Sequence, residues 1–182
     1  PETGIMYIFS KSDVGRMSMS SRPDRSDMDF INLQLRTAPR LSVDGLPLIK
    51  PPYGQIVALD LNEGEKLWDA VHGETPDSIR NHPALAGLDI PPTGQAGRVG
   101  VLVTKTLVIA GDGGHYTNAD GDQEALLRAY DKLTGRQLGS LSMPAQQTGS
   151  PMTYAIDGVQ YLVVAIAGSD VPGRLRVYSY EP

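Results

Sequence analysis

The segment Ala58-Leu59-Asp60-Leu61-Asn62-Glu63-Gly64-Glu65-Lys66-Leu67-Trp68 returns as Ala129-Tyr130-Asp131-Lys132-Leu133-Thr134-Gly135-Arg136-Gln137-Leu138-Gly139, with Ala, Asp, Gly and Leu at the same offsets. A tandem repeat constrains a fold strongly, because each unit leaves an apolar face that only a neighbouring unit can cover. A third copy begins at Leu175-Arg176-Val177-Tyr178-Ser179, which matches Leu127-Arg128-Ala129-Tyr130-Asp131. From Ala129 to Val177 the interval is 48 residues and from Ala58 to Ala129 it is 71. The longer unit therefore carries an insertion, which the Pro/Gly-rich stretch 73–97 supplies as an expected long loop on one face.

Within each repeat the Asp-x-x-x-Gly core predicts a hairpin. Asp60 or Asp131 can accept hydrogen bonds from the turn backbone, while Gly64 or Gly135 supplies a positive φ. Upstream of each hairpin lies a short β-branched run bounded by glycine: Gly4 to Phe9, Lys105 to Gly111, and Gly158 to Ala165. Four-stranded units of about 40 to 50 residues are the sequence form of β-propeller blades. With 20 Gly, 14 Pro and only 6% aromatic residues, the composition fits a turn-rich all-β chain and excludes a helical bundle. Residues 1–182 are read as one partial β-propeller domain of about three to four blades, with insertions at 11–45 and 73–97. Too few blades are present to close a ring, so open sheet faces are expected, to be covered by remaining blades or by a second chain. The polar segment Ser18–Asp27 reads as an exposed part of the first insertion.

Charge and residue content remove several functions. A net charge of -5 without a Lys/Arg run speaks against nucleic acid and anionic membrane surfaces as partners. The absence of cysteine removes disulfides, thiolate catalysis and Cys-ligated metal centres. No apolar stretch reaches the length of a membrane-spanning helix. The start at Pro1-Glu2-Thr3-Gly4, in place of Met, reads as a truncated or processed product.

Trp68, the only tryptophan, invites stacking under a planar cofactor, but its place at the end of a repeat points to docking one blade against the next, with its N–H bonded to a neighbouring strand. The loop from Asp112 to Glu124 is rich in oxygen ligands, yet its glycine falls at the wrong offset for an EF-hand, so a solvated loop is expected. His72, His82 and His115 lack metal-site spacing; His82 reads as a loop-packing residue or a group at a substrate entrance. Ser150 lacks a nucleophile elbow, and Gly111-Asp112-Gly113-Gly114 is followed by no Lys-Ser/Thr of a phosphate loop.

Three ordered stretches carry a family resemblance: Leu46-Pro47-Leu48-Ile49-Lys50-Pro51-Pro52-Tyr53-Gly54-Gln55-Ile56-Val57-Ala58-Leu59-Asp60-Leu61 with Trp68, Gly100 through Gly111, and Thr148-Gly149-Ser150-Pro151-Met152-Thr153-Tyr154 followed by Gly158 to Ala165. Together they resemble the C-terminal propeller region of pyrroloquinoline-quinone (PQQ) dependent dehydrogenases, in the membrane-type glucose and quinate branch. The likeness runs from Thr3 to Tyr180. It implies an eight-bladed propeller that binds PQQ and Ca²⁺ at its axis, oxidises an alcohol, sugar or polyol, passes electrons to a quinone and works in the periplasm. The family's catalytic aspartate, calcium ligands and floor tryptophan lie upstream of the matched region, so this chain is expected to carry no catalytic or metal-ligating residue and to be inactive alone.

The resemblance points to three cofactor-binding positions. Arg98 precedes an innermost strand and would face the central channel, where a guanidinium can pair with a PQQ carboxylate; the alternative is a loop arginine paired with Asp89 or solvent. Glu124 falls on a family aspartate near the axis. Asp170, in Gly168-Ser169-Asp170, replaces the histidine of a Gly-Gly-His element of glucose dehydrogenases, a departure that bears on glucose specificity. The rival to the enzyme is a non-catalytic propeller of the same repeat family that binds protein partners, and the missing tryptophan at Gly139 leans that way.

Overall fold

The computed structural model describes residues 3–15, 18–33 and 41–180. Two compact units emerge, one built from the residues up to Ser12 together with those from Pro51 onward, the other from Asp13–Lys50. Along the chain the strands are β1 (Ile5–Lys11), β2 (Ser18–Ser20), β3 (Ile31–Leu33), β4 (Ser42–Val43), β5 (Leu46–Pro47), β6 (Gly54–Asp60) and β7 (Glu65–Val71). A four-residue helix α1 (Asp77–Arg80) and a 3-10 turn (Pro83–Leu85) follow within the stretch expected as a loop. Then come β8 (Leu102–Val103), β9 (Leu107–Gly111), β10 (Tyr116–Thr117), β11 (Gln123–Asp131), β12 (Gln137–Met143), β13 (Met152–Ile156), β14 (Val159–Ile166) and β15 (Arg174–Tyr180).

The small unit consists of two ribbons, β2 with β3 and β4 with β5; the second turns at Asp44-Gly45, both with positive φ. The large unit is a partial β-propeller of three antiparallel sheets. Strands β1, β6 and β7 form the first, β8, β9, β11 and β12 the second with β10 paired to the start of β11, and β13, β14 and β15 the third. Each sheet thus joins one upstream apolar run to the strand or hairpin of its own repeat.

Both complete hairpins close as the repeat predicts. The Asp60 carboxylate accepts from the backbone N–H of Asn62 at 2.8 Å, and that of Asp131 from Thr134 at 2.8 Å and Leu133 at 3.1 Å. Gly64 and Gly135 follow at φ +73° and +71°, each donating its N–H back to the carbonyl of its own aspartate.

Alternation along the strands then sends one set of side chains to each side. Tyr7, Ile56 and Ala58 of the first sheet meet Val108, Ala110 and Tyr130 of the second in one core. Ala125, Leu127 and Met143 of the second meet Val164 and Ile166 of the third in another. In the middle sheet β9 and β11 are covered on both faces, which explains why β9 reads as an unbroken apolar run, whereas the outer strand β12 is exposed along most of its length. The third sheet has only one covered face. Leu127 is 3% exposed, whereas its repeat counterpart Leu175 is 68% exposed, alongside Met152, Ile156 and Val177 on the open side.

Trp68 has the docking role expected of it. Its indole lies 5.8 Å from the Tyr7 ring, and its Nε1–H donates across the interface to the carbonyl of Lys132 at 3.2 Å. The acceptor is in the turn after β11 and not in a strand. A Cβ on Gly135 would stand 2.5 Å from Trp68 Cε3, so glycine serves there both the turn and the approach of the ring. Replacing Trp68 by Ala should cost about 3 kcal/mol of unfolding free energy, at the low end for a large aromatic because the ring is only partly buried. Urea titration with an unchanged slope would show this, whereas loss under about 1 kcal/mol would deny the ring its pinning role.

Candidate functional site

Polar residues concentrate where β9 ends and β11 runs past it. Asp112, the first residue after β9, is fully buried. Arg128, on the β11 face toward the first sheet, donates Nε–H to Asp112 Oδ1 at 2.7 Å and Nη2–H to Asp112 Oδ2 at 3.2 Å, a fork that fits the carboxylate plane. The same Nη2 reaches Glu74 Oε1 at 3.0 Å, and Nη1 reaches Gln137 Oε1 at 3.2 Å. Burial opposes the Arg128 charge, but the Asp112 and Glu74 carboxylates outweigh it and hold the guanidinium above its ordinary pKa. The remaining Asp112 capacity is used on the backbone N–H of Leu126 at 3.0 Å. An arginine thereby ties β11 to the segment that follows β7.

His72 sits beside this group with no exposed surface. Its Nδ1 lies 2.8 Å from the Tyr130 hydroxyl and its Nε2 lies 3.1 Å from the Gly111 carbonyl. The carbonyl can only accept, so Nε2 carries the proton and Nδ1 accepts from Tyr130, the arrangement of a neutral imidazole. Burial drives the His72 pKa down, opposed by Asp112 and the Gly111 hydrogen bond and aided by Arg128. The Tyr130 hydroxyl is likewise pushed up by burial. Gln147 completes the set: Oε1 accepts from Gly111 N–H at 2.6 Å, and Nε2 donates to the Gly100 carbonyl at 2.8 Å.

These contacts hold the connection that bears Arg98. Gln95 N–H donates to the His72 carbonyl at 3.0 Å, its side-chain amide donates to His115 O at 2.9 Å, and Gly100 is held by Gln147. Between those anchors a Cβ on Gly97 would fall 2.6 Å from Gly113 Cα, so two backbones pass in direct contact. Arg98 itself is exposed, and among the described residues no ion pair or hydrogen bond engages its guanidinium, Asp89 included. A cation mounted on a fixed backbone and left unpaired can receive a carboxylate.

Glu124 lies in β11, opposite Tyr116 of β10, whose hydroxyl donates to Oε2 at 2.8 Å. The Ser142 side chain first and the Tyr116 hydroxyl second favour the carboxylate, holding Glu124 below the ordinary range. Tyr116, partly withdrawn from water and facing that carboxylate, is pushed up to about 12. Asp170 is exposed in the β14–β15 connection and accepts from the neighbouring Ser169 hydroxyl at 3.0 Å. No hydrogen bond or ion pair among the described residues joins any two of Arg98, Glu124 and Asp170.

The loop expected to be solvated divides in two. Residues 118–122 are exposed or half-exposed around Asn118, whose side chain accepts from Asp120 and Asp122 N–H. Asp112 at its other end is buried because Arg128 neutralises it, and Thr117 is bound through its N–H and hydroxyl by the Asp77 carboxylate. His82 Nδ1 accepts from Ala84 N–H and so caps the 3-10 turn. The Arg128 ion group escaped the sequence reading: an arginine between Leu127 and Ala129 in a strand buried on both faces was the available signal, but its partner Glu74 is in the insertion, at no repeat-related offset.

A family model for the PQQ β-propeller domain of glucose, ethanol and alcohol dehydrogenases matches residues 9–162. The chain belongs to this quinoprotein dehydrogenase propeller family. It is 33% identical over 141 residues to quinoprotein glucose dehydrogenase of Escherichia coli (strain K12), covering 71% of this chain and 15% of that protein. Similarity to the glycerol dehydrogenase large subunit of Gluconobacter thailandicus is also 33% over 141 residues, covering 74% and 18%. The probable quinate dehydrogenase (quinone) of Xanthomonas campestris pv. juglandis is 31% identical over 132 residues, covering 71% and 15%. The chain therefore spans under a fifth of the length of these relatives. Arg98 and Glu124 fall inside the segment matched by the quinoprotein family model and Asp170 lies beyond it.

Two outcomes follow from the buried groups. Replacing Arg128 by Met leaves the Asp112 carboxylate buried without its counter-charge and should cost about 3–5 kcal/mol in urea unfolding; a cost near zero would mean that the pair adds nothing to the fold. For His72, the unfolded chain takes up a proton below about pH 6.5 while the native imidazole refuses it. Stability should fall as the pH drops below that value, with a slope approaching ~1.4 kcal/mol per pH unit for one proton. His72→Gln should flatten this slope, and a slope unchanged by H72Q would contradict the assignment.

Proposed function

We propose that this chain is the C-terminal portion of a periplasmic PQQ-dependent dehydrogenase that oxidises an alcohol, sugar or polyol and passes the electrons to a quinone. The observation that supports this reading is the family match over residues 9–162, from the first sheet into β14 of the third, together with relatives that bear the names of glucose, glycerol and quinate dehydrogenases. Such a substrate loses a hydride from its CH–OH carbon and a proton from its hydroxyl. When bound, PQQ supplies the two-electron acceptor and Ca²⁺ the Lewis acid that polarises it.

Arg98 supplies a cation and Glu124 and Asp170 supply carboxylates for this cofactor reading. Arg98 is the proposed partner of a PQQ carboxylate, through the two parallel N–H bonds that guanidinium geometry favours. Glu124 and Asp170 are acceptors and suit a donor group of the cofactor or substrate. Ca²⁺ is assigned, on the family resemblance, to residues of the whole protein upstream of the matched region. The open face of β13–β15 is then the seat of the next sheet of the ring. A second reading, a propeller that binds protein partners without a cofactor, is favoured by Asp170 in the place of the family histidine.

The complete polypeptide that contains these residues, supplied with PQQ and Ca²⁺, decides between them. Retention of PQQ and quinone reduction with glucose, glycerol or quinate are expected, and Arg98→Gln should weaken PQQ binding by about tenfold without moving the thermal midpoint. Failure to retain PQQ would leave the scaffold reading. Unaltered affinity in R98Q would remove Arg98 from the cofactor site.

A further inference from the structure

The connection between β12 and β13 lies between two others. Gln147 within it is 3% exposed and uses both ends of its amide: Oε1 accepts from the N–H of Gly111 at the end of β9, and Nε2 donates to the carbonyl of Gly100, two residues after Arg98. Turning the amide over would set N–H against N–H and C=O against C=O, so its two partners fix one orientation. The Gln147 backbone N–H donates to the Asp112 carbonyl at 2.9 Å, and a Cβ on Gly100 would overlap the Ser150 side chain, so the β12–β13 connection and the one that bears Arg98 also touch there. On its other side the same connection is bound to the third sheet. Thr148 N–H donates to the Ala165 carbonyl at 2.8 Å, and Ala167 N–H donates to the Gln146 carbonyl at 3.2 Å. Residues 165–167 lead directly into Gly168-Ser169-Asp170. The mounts of Arg98 and Asp170 thus lean on one support.

We propose that Gln147 is a positioning residue for the cofactor site: it holds Arg98 where a PQQ carboxylate is received, at a fixed place relative to the connection that bears Asp170. This role rests on the reading of Arg98 given above. A two-point contact between guanidinium and carboxylate needs its donors within about 0.5 Å and 10–20° of the productive geometry. Arg98 is exposed and the connection 93–100 contains neither strand nor helix, so that precision comes from the groups that bind its backbone. Without the Gln147 amide the end of β9 stays in place, since Gly111 pairs with Leu127 of β11 and its carbonyl remains bonded to His72. The Gly100 carbonyl is only partly buried and can turn to water, so the connection that bears Arg98 is what gives way.

The complete polypeptide that contains these residues, carrying Gln147→Met, Arg98→Gln or both, tests this. Without PQQ, trypsin cuts after Arg98 only when the connection opens, and Q147M should speed that cut about tenfold relative to the cut after the exposed Lys105. With PQQ, each single variant should weaken binding about tenfold, and Q147M should add less than about twofold once Arg98 is replaced. A merely structural Gln147 would weaken binding by the same factor in both backgrounds. Gln147→Asn, too short to span Gly100 and Gly111, should act in the same direction and decides the matter if Q147M does not fold. A cleavage ratio unaltered in the folded variants, or losses that multiply in the combined variant, would overturn the role of Gln147 while leaving that of Arg98. Wild-type PQQ affinity in R98Q would instead remove Arg98 from the cofactor site, and the positioning role with it, whatever the cleavage ratio.

Discussion

Burial between successive sheets is the constraint on which the large unit depends. A three- or four-stranded antiparallel sheet has two faces and can cover neither by itself, so its apolar side chains stay in water until a second sheet arrives. Here the middle sheet meets a neighbour on each side, through the cores around Tyr130 and around Met143. Repetition of one hairpin chemistry, an aspartate closing the turn and a glycine at positive φ, gives each unit the same register and sends equivalent residues to equivalent faces. The contrast of Leu127 with Leu175 expresses that logic: one repeat position is buried where a neighbouring sheet covers it and exposed where none does among the described residues.

Against this apolar stacking, the Arg128 group provides direction. Apolar faces can slide; a guanidinium bound to Asp112, Glu74 and Gln137 at fixed angles cannot. The group crosses from β11 to the segment after β7, and His72, Tyr130 and Gln147 extend it to the backbones of β9 and Gly100. Its consequence is positional. The connection 93–100 is held at both ends, and Arg98 stands on it as a cation that pairs with none of the described residues, on a rigid mount that lowers the ordering cost of binding an anion.

Legibility in the sequence followed from locality. Hairpins at Asp60 and Asp131, the apolar runs and the docking of Trp68 are set by residues a few positions apart or by repeat-related offsets, and they stand as expected. The grouping of strands into sheets was readable because each run precedes its own hairpin. What could not be read was the burial of Asp112, since an aspartate beside two glycines has the composition of a solvated turn and only Arg128, arriving from another strand, reverses that. Glu74 and His72 reach the same group from the edge of an insertion, where no periodicity marks them.

Stacking of three sheets with β9 and β11 covered on both faces is open to residue-resolved amide hydrogen exchange of the whole chain. Interior strands open only with global unfolding, whereas edge strands under an uncovered face open locally. The slowest exchange is expected in β9 and β11, with β15 exchanging faster than its repeat counterpart β11. Uniformly fast exchange, or protection in β15 equal to that of β11, would contradict it.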